Sequence, residues 1–390
     1  MWKNRICYIF VMLITAVLLF FFSKPFLLYL FIFLAAFAFI MAVAVEVDSK
    51  AVEIDVSVKH AVREGEQIPL RISISSNRSL VAASSVVLDI EIYNSMFEKK
   101  YLKRIVLPLK AKEENFDFMF SADMCGELKI SCVKADINDM LELFSIDAKP
   151  FKSITTVVYP RKAGVNVEIL QFSKGKIQEE GMVQNRKGND PSEIFDFREY
   201  VPGDDIRAIH WKLSGKTDSL ILRQASDPSH YNVVLMADFG MNLNKETVSD
   251  RELNAAAALC MAIGEQLVRC GVSFCLASPV NEHLHLWEIT GEKELHNSFI
   301  QWLSIHIQKE SGMGVKYFDT EHMEERFTRL IVVSAGKYSK NMETLNGRIS
   351  AVVINAVEGI KDVQAGTGNN CEIIEIPAQL STEHSYSISC

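Results

Sequence analysis

The residues best suited by type and spacing to do chemistry fall in two short stretches. In the first, His210 follows Asp204 and Asp205 closely. An imidazole near carboxylates can be poised near neutral pH, which is what a general base needs. No Ser, Cys or Thr nucleophile stands at a recognisable spacing from it, so the favoured reading is a structural histidine at a helix end. In the second stretch, Asp238 and Asn242 offer a carboxylate and an amide oxygen. A hard divalent cation gathers six or more oxygens, so two make a degenerate site, and the structural reading has Asp238 hydrogen-bonding the loop after its strand. His283, His285, His296, His306 and His322 are scattered without a metal-ligand spacing. Neither a GxxxxGK loop nor a GxGxxG turn occurs, so any ATPase must be a separate partner. The eight cysteines form no CxxC, as expected of free, mostly buried thiols in a reducing compartment.

The elements that must position these groups follow from periodicity. Around His210, Pro202-Gly203 predicts a turn, Asp204 or Asp205 a helix cap, and Gly215 the helix end. On that helix Ile206 and Ile209 face inward while Arg207 and His210 share another side. Phe195, Phe197, Tyr200 and Trp211 supply apolar anchors, and Arg198, Glu199, Asp204, Asp205, Arg207, Lys212 and Arg223 can form an ion-pair network over them. Before Asp238, residues 231–237 are a continuous apolar run, the look of a buried parallel strand. Residues 249–270 read as a helix with Ser249 or Asp250 as cap and Gly271 beyond its end. Further strands at 272–277, 330–334, 351–355 and 372–376, with a second helix at 292–307, imply a mostly parallel sheet. Ligands of such sheets sit at the carboxyl ends of the strands, which is where Asp238 falls. Upstream, residues 47–159 alternate with period two, as in Val52-Ile54-Val56-Val58 and Ile68-Leu70-Ile72-Ile74, and predict a β-sandwich.

The first 45 residues differ in kind. Residues 6–22 and 26–45 are apolar runs separated by Ser23-Lys24-Pro25, and predict two membrane-spanning helices in a hairpin. Lys3, Arg5, Lys50 and Lys59 outnumber Lys24, which places both the N-terminus and the body in the cytoplasm. The segment holds no acid while the whole chain carries a net charge of -8, so the body is strongly acidic. Such a body repels nucleic acid and anionic lipid heads and leaves protein partners.

The string from Phe197 to Ser214, F-R-E-Y-V-P-G-D-D-I-R-A-I-H-W-K-x-S, resembles the signature of the domain of unknown function 58 family. The resemblance extends over nearly the whole chain. It includes a β-rich segment closed by Cys125-Gly126-Glu127-Leu128 and Asp139-Met140-Leu141-Glu142-Leu143-Phe144, the last a weak version of a Gly-Leu-Phe ending. Gly215-Lys216-Thr217 departs from an Ala-Arg-Thr pattern. The resemblance implies an α+β multidomain chain: a transmembrane hairpin at 1–46, a β-sandwich at 47–160, the signature segment at 161–230, and a Rossmann-like domain of the von Willebrand factor type A kind at 231–390. That fold often binds a cation through Asp-x-Ser-x-Ser, where this chain has Asp238-Phe239-Gly240-Met241-Asn242. The resemblance also implies partnership with a MoxR-type AAA-plus ATPase and a transglutaminase-like membrane protein. The expected function is a non-enzymatic, multi-pass membrane scaffold without a cofactor. Its signature residues Arg198, Glu199, Tyr200, Gly203, Asp204, Asp205, Arg207, His210, Trp211 and Lys212 form a docking surface or a structural bracket. The alternatives are a metal-assisted hydrolase using Asp238 and an outward-facing adhesion module.

Overall fold

Residues 2–22, 24–110, 112–163, 165–168, 187–199, 209–217, 220–226, 233–240, 242–243, 246–337, 349–368, 371–379 and 386–389 are described in the computed structural model. They form two compact units, Met1–Tyr159 and Pro160–Cys390. The two N-terminal helices therefore belong with the β-strands that follow them rather than standing apart.

Helix α1 (Trp2–Phe22) and helix α2 (Pro25–Ser49) are long and apolar enough to cross a membrane. Pro25 opens α2 at a position where its missing N–H costs nothing. The Tyr8 hydroxyl donates to the Leu34 carbonyl at 2.7 Å and ties the helices together. Large apolar side chains such as Phe20, Phe21, Phe26 and Phe39 are exposed, and a helix apolar on all sides needs a nonaqueous cover.

The strands of this unit are β1 (Val52–Val58), β2 (Ala61–Arg63), β3 (Gln67–Ser76), β4 (Ala83–Asn94), β5 (Lys99–Pro108), β6 (Glu113–Ser121), β7 (Gly126–Asp139), β8 (Ser145–Asp147) and β9 (Ile154–Tyr159). They make a three-stranded sheet, β1-β3-β6, and a six-stranded one, β2-β9-β7-β4-β5 with β8 on β7. Alternate residues of both sheets, among them Ile68, Leu70 and Ile72 of β3, Leu88 and Ile90 of β4 and Ile130 of β7, enter one core. In β7 the inward phase switches from Leu128 and Ile130 to Ala135 and Ile137. The switch falls where the register with β4 slips and Val133 is left out, exposed, as a β-bulge requires. The first quoted motif of this unit starts β7 and the second is the turn that follows it. Gly126 has φ +111°, and a Cβ there would lie 2.8 Å from that of Met96. Asp139 is fully buried and accepts the N–H groups of Leu141 and Phe144. Glu142, at the Gly of the Gly-Leu-Phe ending, takes the left-handed φ of 53° that a glycine adopts freely.

The second unit contains β10 (Val165–Glu168), β11 (Lys187–Glu199), helix α3 (Trp211–Thr217), β12 (Ile221–Ser226), β13 (Val233–Ala237), β14 (Asn242–Leu243), β15 (Glu246–Thr247), helix α4 (Asp250–Arg269), β16 (Phe274–Val280), β17 (His283–Ile289), helix α5 (Glu292–Leu303), helix α6 (Met313–Thr320), β18 (Arg329–Ala335), β19 (Ser350–Val357), β20 (Gln364–Gly368), β21 (Cys371–Pro377) and β22 (Tyr386–Ser389). Seven strands form one sheet in the order β17-β16-β13-β18-β19-β21-β20. The five inner strands are parallel, and β17 and β20 close the edges antiparallel. Helix α4 carries a full capping box, with Ser249 accepting the Glu252 N–H and Glu252 accepting the Ser249 N–H, and Gly271 follows it at φ +72°. It packs on β13, β18 and β19, while α6 packs on β16 and β17.

Candidate functional site

Asp238 follows the last residue of the central strand β13 and is 1% exposed. Its Oδ1 accepts the N–H groups of Gly312 and Gly314 at 3.1 and 2.9 Å, and its Oδ2 accepts that of Val315 at 3.0 Å. The carboxylate thus caps the N-terminus of α6, satisfying donors that a helix leaves without partners. Among the described residues its partners lie at the start of α6, where the structural reading made from sequence had expected the loop after its own strand. Burial pushes the carboxyl above the ordinary aspartate range, against the pull of the Gly314, Val315 and Gly312 N–H groups.

The neighbouring residues close the same space. Phe239 packs edge-on against Trp302 of α5, ring centroids 5.8 Å apart. The Gly240 N–H donates to Ser311 Oγ at 3.1 Å. A Cβ on Gly240 would lie 2.8 Å or less from backbone atoms of Gln308 and Glu310. The crevice outside β13, where a parallel sheet would receive a ligand, is therefore filled by residues 308–315 of the chain itself. Asn242 lies in β14, and only its backbone is described. Among the described residues no group of three or more His, Cys, Asp or Glu side chains is arranged to hold a metal ion. Ser334 and Asn355, register partners at the ends of β18 and β19, are buried polar residues at the same edge. Sequence reasoning missed the Ser311-Gly312-Met313-Gly314 turn; its two glycines at a helix start were the available signal.

Around His210 the helix begins later than expected. α3 starts at Trp211, so Gly215 lies inside it, not at its end, and His210 precedes it. His210 Nδ1 accepts the Leu213 N–H at 3.1 Å, a side-chain cap. Ser214 Oγ, buried, accepts the Ile221 N–H at 2.8 Å and joins the helix to β12. Ile209 is buried as expected. Trp211 is no anchor: it is 64% exposed, with Lys212 and Lys216 exposed beside it. Phe197, Arg198 and Glu199 lie on β11 opposite Arg223, Leu222 and Ile221 of β12. The expected roles of Tyr200, Gly203, Asp204, Asp205 and Arg207 lie outside the described residues.

The described cysteines are all free. Burial pushes the Cys275 thiol up to about 12, Glu288 adding to the effect and Arg326 opposing it. It also raises those of Cys125 and Cys260, which are fully enclosed. Among the described cysteines only Cys7, in α1, and Cys270, after α4, are exposed. A maleimide added to the folded protein is therefore expected to modify Cys270 and to reach Cys125, Cys260 and Cys275 only in denaturant, as read by peptide mass spectrometry.

No curated protein matches the chain. Among solved structures, a cohesin module from a Clostridium perfringens family 33 glycoside hydrolase is 12% identical, over 28% of this chain and 96% of that one, with a TM-score of 0.23. A CARDB domain from Pyrococcus furiosus is 13% identical, over 27% and 86%, at 0.20. A Listeria innocua beta-glucosidase is 12% identical, over 27% and 16%, at 0.21. Scores this low carry nothing about this chain's fold or ligands. The match that bears on the site is to the family described as Protein of unknown function DUF58, whose model covers residues 196–345, from β11 through α3 and Asp238 to just beyond β18.

Proposed function

We propose that the chain is a membrane-anchored interaction protein whose body docks a protein partner through α3. The observation that carries this reading is the division of labour within the signature. His210 caps the helix, Ser214 ties it to β12 and Ile209 is buried, whereas Trp211 and Lys212 are exposed and have no such task among the described residues. An exposed Trp beside basic side chains is the composition of a binding hot spot rather than of a solvated surface. The β unit is then a β-sandwich spacer, and the parallel sheet a domain of the von Willebrand factor type A kind. In that domain the cation position is replaced by an internal helix cap. The occupied Asp238 carboxylate weighs against the metal-assisted hydrolase.

A partner with an acidic apolar surface fits Trp211, Lys212 and Lys216, and a MoxR-type AAA-plus ATPase is the partner that the family resemblance suggests. Co-purification in mild detergent tests the reading. Trp211→Ala, at an exposed position, is expected to leave the melting temperature unchanged while costing about 2 kcal/mol of partner binding, roughly thirtyfold in affinity. Equal retention by the variant would remove α3 from the interface. Orientation is tested at Cys270. An impermeant thiol reagent is expected to label it only in permeabilised cells, and labelling in intact cells would favour the outward-facing adhesion module.

A further inference from the structure

We infer that the helix-proximal end of the β unit is itself a membrane-interface contact, seated among lipid headgroups through Val81, Met140 and Leu141; the inference rests on the membrane-anchored reading. Three observations meet there. First, α2 does not leave its apolar stretch through a linker. Phe37, Met41, Ala44 and Val45 pack into the core of the β unit with Phe144, Ile146 and Ala148. Second, the turn after β7 is held against the start of α1. Asn4 Nδ2 donates to the Leu141 carbonyl at 3.0 Å and Arg5 Nε to that of Leu143 at 2.7 Å. The apolar run of α1 begins one residue later, at Ile6, so the turn lies level with the polar edge of the helix pair. Third, the side chains at this end are apolar and uncovered. Val81 is 76% exposed, Met140 71% and Leu141 42%. They form one locale, because the Met140 N–H donates to the Ala82 carbonyl.

Helix length decides what covers them. Residues 6–22 give about 25 Å of α1, short of a hydrocarbon core of about 30 Å. Helix α2 reaches that length only through residues 41–45, where the β unit claims the face of Met41 and Val45 and leaves Val43 exposed. Drawing the gripping end of the β unit into the headgroup zone makes up the difference without thinning the bilayer. It also covers Val81, Met140 and Leu141, and sets Trp2, 79% exposed, at the depth where tryptophan rings settle. The occupant is the bilayer on which the helices already stand, not a further protein.

The full chain in phosphatidylcholine nanodiscs provides the test, with lipids brominated near the headgroup end of the acyl chains as quencher. Met140→Trp and Val81→Trp each add an emitter at exposed positions where substitution scarcely alters stability. Leu102→Trp is the control. Leu102, 73% exposed, pairs with Glu91 of β4, about 27 Å along that strand from the Ala83 N–H that binds α2. The emission added at 140 and 81 is expected to be largely lost to bromine, and that at 102 retained. Emission at 140 and 81 as indifferent as that at 102, with native Trp2 still quenched, would overturn the seat and leave the anchor standing. A wild-type chain that fails to float with lipid, its Trp2 unquenched, would overturn both.

Discussion

Asp238→Ala is expected to destabilise the second unit by about 3–5 kcal/mol, a fall in melting temperature on the order of 10 °C. The variant removes the acceptor of the Gly312, Gly314 and Val315 N–H groups at a carboxylate that is 1% exposed. Water cannot replace it cheaply. A Cβ on Gly314 would already lie 2.9 Å from Asp238 Cγ and from Met236 Sδ, which shows how closely the cap is packed. Asp238→Asn keeps one acceptor oxygen and is expected to recover part of the loss, while turning an NH2 toward a further donor. The measurement is thermal unfolding of the full chain with EDTA and then with Mg²⁺ or Mn²⁺. A capping aspartate gives the same deficit in all three. Wild-type stabilisation by either cation, abolished in the alanine variant, would return Asp238 to a ligand role.

How much of this was readable without coordinates depends on where each residue's partner lies. Helix α4 was legible down to its cap because Ser249, Glu252 and Gly271 are local signals and the helix satisfies its own ends. The inner parallel strands were legible as apolar runs, and β3, β4 and β6 as alternation. Strand β7 was not, because the bulge at Val133 shifts its inward phase halfway along, so no single period describes it. Edge strand β17 places His283 and His285 at exposed positions, in keeping with their lack of a metal-ligand spacing. Helix α6 escaped because its eight residues have no local side-chain cap; the capping group is Asp238, more than seventy positions earlier. The candidate site divides in the same way. Asp238 and His210 could be picked out, and a structural role was among the readings of each, but the partner of Asp238 could not be named. Trp211 was misread as an anchor because burial of an aromatic depends on tertiary packing that spacing does not encode.

The second large effect is expected at Asp48→Ala, about 3–5 kcal/mol in the first unit. An acid in the last turn of α2 opposes the helix dipole, so its presence there requires compensation elsewhere. Its fully buried carboxylate provides it. Oδ2 accepts the N–H groups of Val81, Ala82 and Ala83 at 2.9, 2.8 and 3.0 Å, and Oδ1 accepts from Arg78 Nη2 at 2.7 Å. Alanine would strand three backbone donors and leave the guanidinium, partly exposed, without its counter-charge. Arg78→Ala alone should cost less, because the three N–H bonds survive. Adding it to Asp48→Ala should cost less than the sum of the two, the mark of a shared interaction. Helix α2 runs into β1 with only Lys50 and Ala51 between them, and this latch, which ties the end of α2 to Arg78 and the start of β4, is expected to keep that joint closed. Limited trypsinolysis in nanodiscs reads it directly. Cleavage after the exposed Lys50 requires local opening of the joint, so it should be slow in wild type and much faster in Asp48→Ala. Equal rates in the two proteins would mean that the joint is held by Val45 and its apolar neighbours instead.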